Sequence, residues 1–390
     1  MSEWGIVEEN PSNAVIKVIG VGGGGGNTVQ HMIDSGMNDQ GVDLICANTD
    51  KQALEKMKAS TKLILGLEIT GGLGAGANPQ VGRKAALEDR DRIRELLKGS
   101  DMVFITAGMG GGTGTGAAPI VAQVAKELDV LTVAVVTKPF ELEGSKRMEM
   151  AQEGIKELVE EVDSLITIPN QKLLEVLGKD CSMIEAFKQA NDVLAGAVRG
   201  ISDIIIHPGL INVDFADVRT VMSEKGTAMM GTGVGSGPER ARLASEQAVA
   251  SKLLEDINLQ DAKGVLVNIT AGPDIKLGEI EAVGDCIKNF AAESAIIVTG
   301  NVIDDSVGND LIVTVIATGL SSSVKKHIGS SLGKNVSIIK KENPLPLSQA
   351  AKDILENPPK LKNDLNAEKD KEKEDTDYLD IPSFLRTQLD

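Results

Sequence analysis

The sequence predicts an α/β protein with a Rossmann-like parallel sheet, a long central helix, a smaller second α/β domain with a mostly antiparallel or mixed sheet, and a disordered carboxyl-terminal tether. With 390 residues, 42% of them hydrophobic, the chain can fill two cores of ordinary size. Only 2% of the residues are aromatic, so aliphatic side chains must fill those cores, as in sheets covered by helices. Short apolar runs alternate with helical patterns, which is typical of parallel strands joined by crossover helices.

The first domain is predicted over residues 14–181, behind a flexible extension of residues 1–13. Each predicted strand is a short apolar run that is followed by a helical pattern. Such a succession builds a parallel sheet with helices on both faces. The predicted strands are AVIKVIGVG from Ala14, DLICANT from Asp43, MVFITAG from Met102, LTVAVVT from Leu131 and SLITIP from Ser164.

A long helix is predicted from Ser182 to Ile206, because its apolar residues recur on one shared face. We assign residues 182–208 to this central helix and residues 209–320 to the second α/β domain. Helical patterns in that domain cover residues 214–223, 239–254 and 276–291. They alternate with the predicted strands GVLVNITAG from Gly264, SAIIVTGNV from Ser294 and DLIVTVIATG from Asp310.

Residues 321–376 are predicted to form a flexible linker. The segment KLKNDLNAEKDKEKED within it is almost purely charged and cannot bury enough apolar surface to order itself. Residues 377–390 reverse that composition, with an apolar and aromatic cluster between Tyr378 and Leu385. A frayed terminus is one interpretation of this end. We favour a docking peptide that becomes ordered on a partner.

Charge and composition exclude several classes of function. A formal net charge of −17 opposes binding to a phosphate backbone, so we expect no nucleic-acid partner. The three cysteines, Cys46, Cys181 and Cys286, are far apart and have no metal-like spacing, which indicates thiols in a reducing compartment. No signal peptide and no apolar stretch of membrane-spanning length is present in the sequence. We therefore expect a cytoplasmic protein without direct membrane insertion.

The first predicted strand runs into the glycine cluster GVGGGGGN, from Gly20 to Asn27, and then into a helical pattern. Glycines allow a backbone to approach an anion closely, and the following helix offers free N–H groups. This cluster also satisfies G-x-G-x-x-G, so a dinucleotide site remains an alternative, as does a structural turn.

A second glycine cluster, AGMGGGTGTGAAP from Ala107 to Pro119, ends the strand MVFITAG and again precedes a helical pattern. No Lys follows its glycines, so it is not a Walker-type loop, and a dinucleotide fold does not require it. Two phosphate-facing loops predict a polyphosphate ligand, because Gly and Thr supply N–H groups and hydroxyls without bulk.

The run GGGTGTG at Gly110–Gly116 resembles the signature loop of the tubulin/FtsZ family, which binds guanine nucleotide phosphates. Four other segments resemble loops of that family: NTD from Asn48, GLGAGANP from Gly72, PFELEGSKR from Pro139 and GLINVDFADVRTVMSEKG from Gly209. The resemblance covers about residues 14–320 and resumes at DYLDIPSFLR. It implies GTP and GDP binding with Mg²⁺ on the phosphates, GTP hydrolysis, and head-to-tail self-assembly into the filaments of the bacterial division ring. It also implies that the tail binds membrane-tethering and regulatory division proteins.

The resemblance also implies roles for individual residues. The first loop, Asn48 and the second loop would surround the phosphates, and the segment from Gly72 to Ala77 would close over the terminal phosphate. Glu143 and Arg147 would lie near the ribose and base, Phe187 against the guanine ring, and Asn191 or Asp192 at its edge. The full set of candidate phosphate-contacting residues is Gly23, Gly24, Gly25, Gly26, Asn27, Asn48, Gly74, Ala75, Gly76, Gly110, Gly111, Gly112, Thr113, Gly114, Thr115 and Gly116.

Neither glycine loop contains an obvious group to orient the attacking water. The candidates are Asn212, Asp214 and Asp217 in LINVDFADVR, where a helix start near Asp214 would put the two carboxylates on one face. Asn and Asp at a helix start are also ordinary caps. The resemblance implies that this loop enters the nucleotide site of a neighbouring subunit and supplies its carboxylates in trans.

Two other functions compete with this hypothesis. A dinucleotide-dependent oxidoreductase would need an acidic residue at the end of the second strand, and Asp50 lies too far along the chain. A non-catalytic GTP-binding scaffold would have lost the carboxylates that are present here.

Overall fold

The computed structural model describes residues 14–178, 180–207, 209, 211, 213–254 and 261–320. The predicted extension 1–13, linker 321–376 and docking tail 377–390 lie outside the described residues, as does Asn212. In the described part of the chain, no helix is both long enough and apolar enough to cross a membrane.

The amino-terminal half forms a parallel sheet with helices on both faces, as predicted. Its strands are β1 (Ile16–Val21), β2 (Val42–Asn48), β3 (Thr61–Ile64), β4 (Met102–Gly108), β5 (Leu131–Lys138) and β6 (Ser164–Pro169). The strand order is β3-β2-β1-β4-β5-β6, which is that of a Rossmann sheet. The helices are α1 (Gly22–Asp34), α2 (Lys51–Glu55), α3 (Leu67–Thr70), α4 (Pro79–Glu88), α5 (Arg90–Leu97), α6 (Gly112–Glu127), α7 (Ser145–Glu161) and α8 (Asn170–Leu177).

The remaining elements extend this sheet with mixed pairing. They are α9 (Met183–Ile206), α10 (Phe215–Met222), β7 (Gly226–Gly235), α11 (Arg240–Val249), β8 (Gly264–Ala271), α12 (Leu277–Phe290), β9 (Ile296–Ile303) and β10 (Leu311–Leu320). Strand β7 pairs parallel to β6, β10 lies antiparallel between β7 and β8, and β8 pairs parallel to β9. The predicted α/β class and the mixed pairing of the later strands are confirmed, but these strands continue the first sheet through the β6–β7 pair and do not form a separate second sheet.

Strands β3 and β7 are absent from the sequence prediction. Strand β7 reads GTAMMGTGVG, and so many glycines are unusual within a strand. A Cβ atom on Gly231 would lie 2.0 Å from the Ala248 carbonyl oxygen, and one on Gly233 would lie 2.1 Å from that of Ala244. The glycines therefore allow α11 to lie directly on the strand. That helix ends at Val249, short of the predicted Leu254.

Helix α9 is the predicted central helix and spans about 36 Å. Ser182 and Glu185 form a reciprocal capping box at its amino end. Its buried face continues one core from α1 and the first strands to α10, β8 and β10. The side-chain amide of Asn268, on β8, donates a hydrogen bond of 3.1 Å to the Gly200 carbonyl oxygen within α9.

The carboxyl end of α9 carries a buried acidic group. Burial, with a smaller upward contribution from Asp304, raises the pKa of Asp203 to about 6 against the opposing effects of His207 and Arg199. Between about pH 4 and pH 6 the folded chain therefore holds a proton that the unfolded chain has lost. This group makes the free energy of unfolding fall as pH rises through that window.

We expect Asp203→Asn to remove this contribution, because an amide does not titrate. Relative to the unsubstituted protein, the variant should gain stability between pH 5 and pH 7.5, as measured by urea unfolding at both pH values. Asp43→Asn, at an exposed position of β2, serves as the control. An equal stability difference at both pH values would contradict the assignment.

Candidate functional site

Both glycine loops lie at the carboxyl edge of the parallel sheet, where ligands bind in open α/β folds. Strands β1 and β4 are neighbours, with Val21 paired to Ala107. Gly22 has a φ of +75°, and a Cβ atom on it would lie 2.8 Å from the Gly114 nitrogen. The two loops therefore contact each other backbone to backbone.

The glycines of these loops fall into two groups. Most of them pack, because an added Cβ atom would collide with backbone: on Gly25 it would lie 2.3 Å from the Thr106 oxygen, and on Gly116 it would lie 1.9 Å from the Pro79 oxygen. Gly24, Gly112 and Gly114 are similarly crowded, at 2.6 to 3.0 Å from backbone atoms. Gly23 and Gly111 have no atom within 4 Å of an added Cβ, so they border open space.

Helices α1 and α6 begin at this open space. Neither has a side-chain cap, and neither has an acidic residue in its first turn. Their first N–H groups are therefore directed at a position that favours an anion. Exposed Gly23, Gly24 and Asn27 on α1 face this edge together with half-buried Thr113 on α6. Two such helix starts at adjacent strand ends suit successive phosphate groups.

The two predicted threonines have different surroundings. The Thr113 hydroxyl lies 2.6 Å from that of Thr49, a buried residue that was not predicted from the sequence. Thr115 is buried, and its hydroxyl accepts a hydrogen bond of 2.8 Å from the Gly110 N–H. Thr115 therefore stabilises the turn from inside. Asn48 ends β2 next to Thr49, and its side-chain oxygen accepts from the Asp50 N–H at 3.3 Å.

The segment from Gly72 to Ala77 is attached to the end of β2 and lies against the second glycine loop. The Gly74 N–H donates to the Thr49 oxygen at 3.1 Å, and the Lys51 N–H donates to the Gly72 oxygen at 2.9 Å. A Cβ atom on Gly112 would lie 2.9 Å from the Ala75 Cβ. The left-handed φ values of Gly74 and Gly76 allow this segment to turn over the phosphate loops.

Glu143 and Arg147 form an ion pair beside the second loop, with Oε2 and Nε 3.2 Å apart. The Glu143 side chain is only 6% exposed, and its other oxygen accepts from the Phe140 N–H at 2.8 Å. Arg147 also packs on Gly110, where a Cβ atom would lie 2.7 Å from the Arg147 carbonyl oxygen. The start of α7 is thereby fixed against the glycine loop.

The amino half of α9 brings three predicted residues to the same edge. Phe187 packs edge to face on Phe140, with ring centroids 5.2 Å apart. Asp192 lies 2.6 Å from His31 Nε2 on α1. Asn191 lies 3.0 Å from the Thr28 hydroxyl, which is also 3.0 Å from the Gly24 oxygen. The Thr28 hydroxyl is the donor in both contacts, to the Asn191 side-chain oxygen and to the Gly24 carbonyl oxygen.

Asn170, which directly follows β6 at the carboxyl edge, is not among the residues predicted from the sequence. It is 4% exposed, and its side-chain oxygen has no hydrogen-bond partner among the described residues. Gln171 beside it accepts from the Glu141 N–H at 3.3 Å, which places Asn170 near the Phe140–Glu143 turn. A buried amide oxygen without a partner suits the N–H groups of a guanine base. A polar residue immediately after a buried strand was the available signal.

Asp214 and Asp217 do not join this cluster. Arg219 on α10 donates to the carbonyl oxygen of Asp129, which precedes β5, and Gly226 after α10 pairs with Ser164, the first residue of β6. Helix α10 therefore lies at the amino edge of the sheet. Asp214 caps it, accepting from the Asp217 N–H at 2.8 Å. Within the described part of the chain, the exposed Asp217 carboxylate has no hydrogen bond or ion pair.

The chain matches two family models: the GTPase domain of the tubulin/FtsZ family over residues 15–178, and the C-terminal domain of the FtsZ family over residues 226–321. It is 58% identical over 397 residues to the cell division protein FtsZ of Pseudomonas putida, with 99% of each chain covered. It is 59% identical over 385 residues to that of Coxiella burnetii, with 97% of each covered.

The chain is also similar to solved structures. An empty FtsZ dimer of M. jannaschii matches with a TM-score of 0.75 and 42% identity, over 79% of this chain and 89% of that one. The GTPγS-bound protofilament of CetZ2 from Haloferax volcanii matches in fold, with a TM-score of 0.68, 22% identity, and coverage of 80% and 94%.

The Rossmann-like sheet, with a glycine loop and a helix start at each of two adjacent strand ends, is the architecture of a nucleotide-binding protein. The chain belongs to the FtsZ branch of the tubulin/FtsZ family of GTPases. Its substrate is GTP, its product is GDP, and Mg²⁺ accompanies the phosphates, as is usual for a cation that prefers phosphate and water oxygens. The alternative of a dinucleotide-dependent oxidoreductase is thereby excluded.

Proposed function

We propose that this protein is a cytoplasmic cell-division GTPase that assembles head to tail into filaments and hydrolyses GTP at the junction between two copies. The observation that carries this proposal is the separation of two groups of residues. The glycine loops lie at the carboxyl edge of the sheet, whereas Asp217 lies on α10 at the amino edge. Along α9 alone, Asn191 and Ile206 are about 22 Å apart.

A single copy cannot bring its own Asp217 to its own phosphates across such a sheet. Stacking the amino edge of one copy on the carboxyl edge of the next would do so. This contact joins two different surfaces, so its repetition generates an open filament. The relatives support the proposal, since the matched structures include an FtsZ dimer and a CetZ2 protofilament.

At that junction, the glycine loops and uncapped helix starts bind the phosphates, and Thr113 adds a hydroxyl held by Thr49. Asn170, Asn191 or Asp192 would read the guanine edge, with Phe187 against its ring. The Asp217 carboxylate of the adjoining copy accepts a hydrogen bond from the attacking water and orients it in line with the γ-phosphorus. Asp214 holds the helix start that carries Asp217.

Loss of the γ-phosphate removes contacts that favour the junction, so hydrolysis would loosen the filament. We further propose that the filaments form the division ring at mid-cell. Membrane-tethering and regulatory division proteins would bind the tail between Tyr378 and Leu385, because its apolar cluster follows a charged linker.

We expect GTP turnover per molecule to fall steeply as the protein is diluted below the concentration at which copies associate, because isolated copies lack a complete site. Phosphate release and sedimentation, measured on the same dilution series, check this expectation. GTP binding by isolated copies should persist throughout. Constant turnover per molecule in samples that contain only monomers would contradict the shared site.

A further inference from the structure

We propose that Asn301 on β9 is a positioning residue for GTP hydrolysis, which holds the segment between α9 and α10 so that Asp217 reaches the nucleotide of the adjoining copy. The inference rests on the proposed function, since it concerns the loop supplied in trans. Asn301 lies in the second half of β9, where it contacts that loop, and it belongs to neither glycine loop.

The first observation is a hydrogen bond from the loop to a buried side chain. The Ile211 N–H donates to the Asn301 side-chain oxygen at 2.6 Å. Asn301 is only 2% exposed, so its side-chain oxygen is shielded from water, and its Nδ2 has no hydrogen-bond partner among the described residues. A buried acceptor that receives a main-chain N–H fixes the backbone of the loop at that residue.

Two further contacts make this a three-point attachment. A Cβ atom on Gly209 would lie 1.7 Å from the Asn301 carbonyl oxygen, so the loop backbone lies directly on β9 there. A Cβ atom on Gly300 would lie 3.2 Å from Val213 Cγ2 and 3.0 Å from Ile204 Cγ2. Residues 209, 211 and 213 thus contact two consecutive residues of β9.

The attachment ends directly before α10. Asp214 follows Val213 and caps α10, whose first turn carries Asp217. The direction in which α10 starts therefore depends on where β9 holds Val213 and Ile211. A misplacement of about 1 Å in a reacting group can cost about 100-fold in rate, even when the change lies far from the chemistry.

The test compares two substitutions of similar size. Asn301→Leu removes the acceptor, whereas Asn301→Asp keeps an oxygen in the same place. We expect Asn301→Leu to lower kcat about 10- to 100-fold, with GTP affinity and sedimentation unchanged. Asn301→Asp should retain turnover within about threefold of the unsubstituted protein, because the Ile211 N–H keeps its acceptor. Thermal unfolding of both variants shows whether each is folded.

A mixing experiment separates positioning from general damage. Gly23→Asp puts a carboxylate in the phosphate space but keeps an intact acidic loop, so it can complete the site of another copy without turnover of its own. Mixed with Asn301→Leu, it should restore turnover, since the Asn301→Leu copy still binds GTP. Gly23→Asp should also restore turnover when it is mixed with Asp217→Ala.

The outcomes are distinguishable. Recovery with Asp217→Ala but not with Asn301→Leu would overturn the role of Asn301 and leave the shared site standing. Failure of both mixtures would overturn the shared site, and with it the positioning role. Equal turnover of Asn301→Leu and the unsubstituted protein would show that the hydrogen bond to Ile211 does not position the loop.

Discussion

Asp217→Ala should abolish GTP turnover while leaving GTP binding intact. Loss of the group that orients the attacking water is expected to cost about 100-fold or more in kcat. The nucleotide site of the variant is unchanged, because Asp217 lies at the opposite edge of the sheet. Phosphate release at saturating GTP and a nucleotide-binding titration measure the two properties separately.

Replacing Asp217 tests the role of the carboxylate more specifically than replacing Asp214 does. The Asp214 side chain caps α10 through the Asp217 main-chain N–H, so replacing Asp214 would also cost about 1 kcal/mol of helix stability. Asp217→Ala leaves that N–H and its cap in place. Glu153→Ala, an exposed position on α7, removes the same charge elsewhere and should keep normal turnover.

The mixture of Asp217→Ala with Gly23→Asp decides whether the carboxylate acts in trans. Neither variant should turn over GTP alone. Together they should form junctions in which GTP on the Asp217→Ala copy meets an intact acidic loop, because the contact joins two different surfaces. If the mixture stays inactive although the two variants co-sediment, the carboxylate acts within its own chain or has another role.

Gly23→Asp by itself should abolish GTP binding without unfolding the protein. The position has no atom within 4 Å of an added Cβ, so the fold accepts a side chain there. A carboxylate at a helix start is favourable in the free protein, but it repels a phosphate by several kcal/mol at about 4 Å, or about 100-fold or more in affinity. Thermal unfolding with and without GTP should show an unchanged midpoint and no shift on adding nucleotide.

Gly25→Ala, two residues further along α1, should instead lower the stability of the fold. Its Cβ atom would lie 2.3 Å from the Thr106 oxygen and 2.9 Å from the Gly20 carbonyl carbon, both of which are backbone atoms of the sheet. Helix α1 must then move off the strands, at a cost of about 3 kcal/mol or more in the free energy of unfolding. Urea unfolding measures the loss. Equal stability of the two variants would show that the glycines are not divided between packing and binding.

Much of the fold could be predicted because it is encoded by local patterns. Alternating apolar runs and helical periodicity identified eight of the ten described strands and the central helix from Ser182 to Ile206. The two missed strands show the limit. Strand β3 has only four residues, and β7 is so rich in glycine that its composition argues against a strand. Both are strands because of their neighbours in the sheet.

The candidate site was predictable to a similar extent. The glycine loops were recognisable because they follow strands and precede helices within a few residues. Asn170 and Thr49 were missed, since their roles depend on a buried amide oxygen and on a hydroxyl contact with Thr113, 64 residues away. Thr115 was itself predicted as a phosphate contact, yet its hydroxyl accepts a hydrogen bond from the Gly110 N–H inside the turn.

The sequence by itself determined the α/β class, the order of most elements and the positions of the two glycine loops, because these follow from periodicity and from residue types that are close along the chain. Only the tertiary structure decided that Gly23 and Gly111 border open space while Gly25 and Gly116 pack. It alone decided that β9 holds the loop before Asp214. These properties depend on backbone atoms brought together from distant segments, and no short stretch of sequence encodes such contacts.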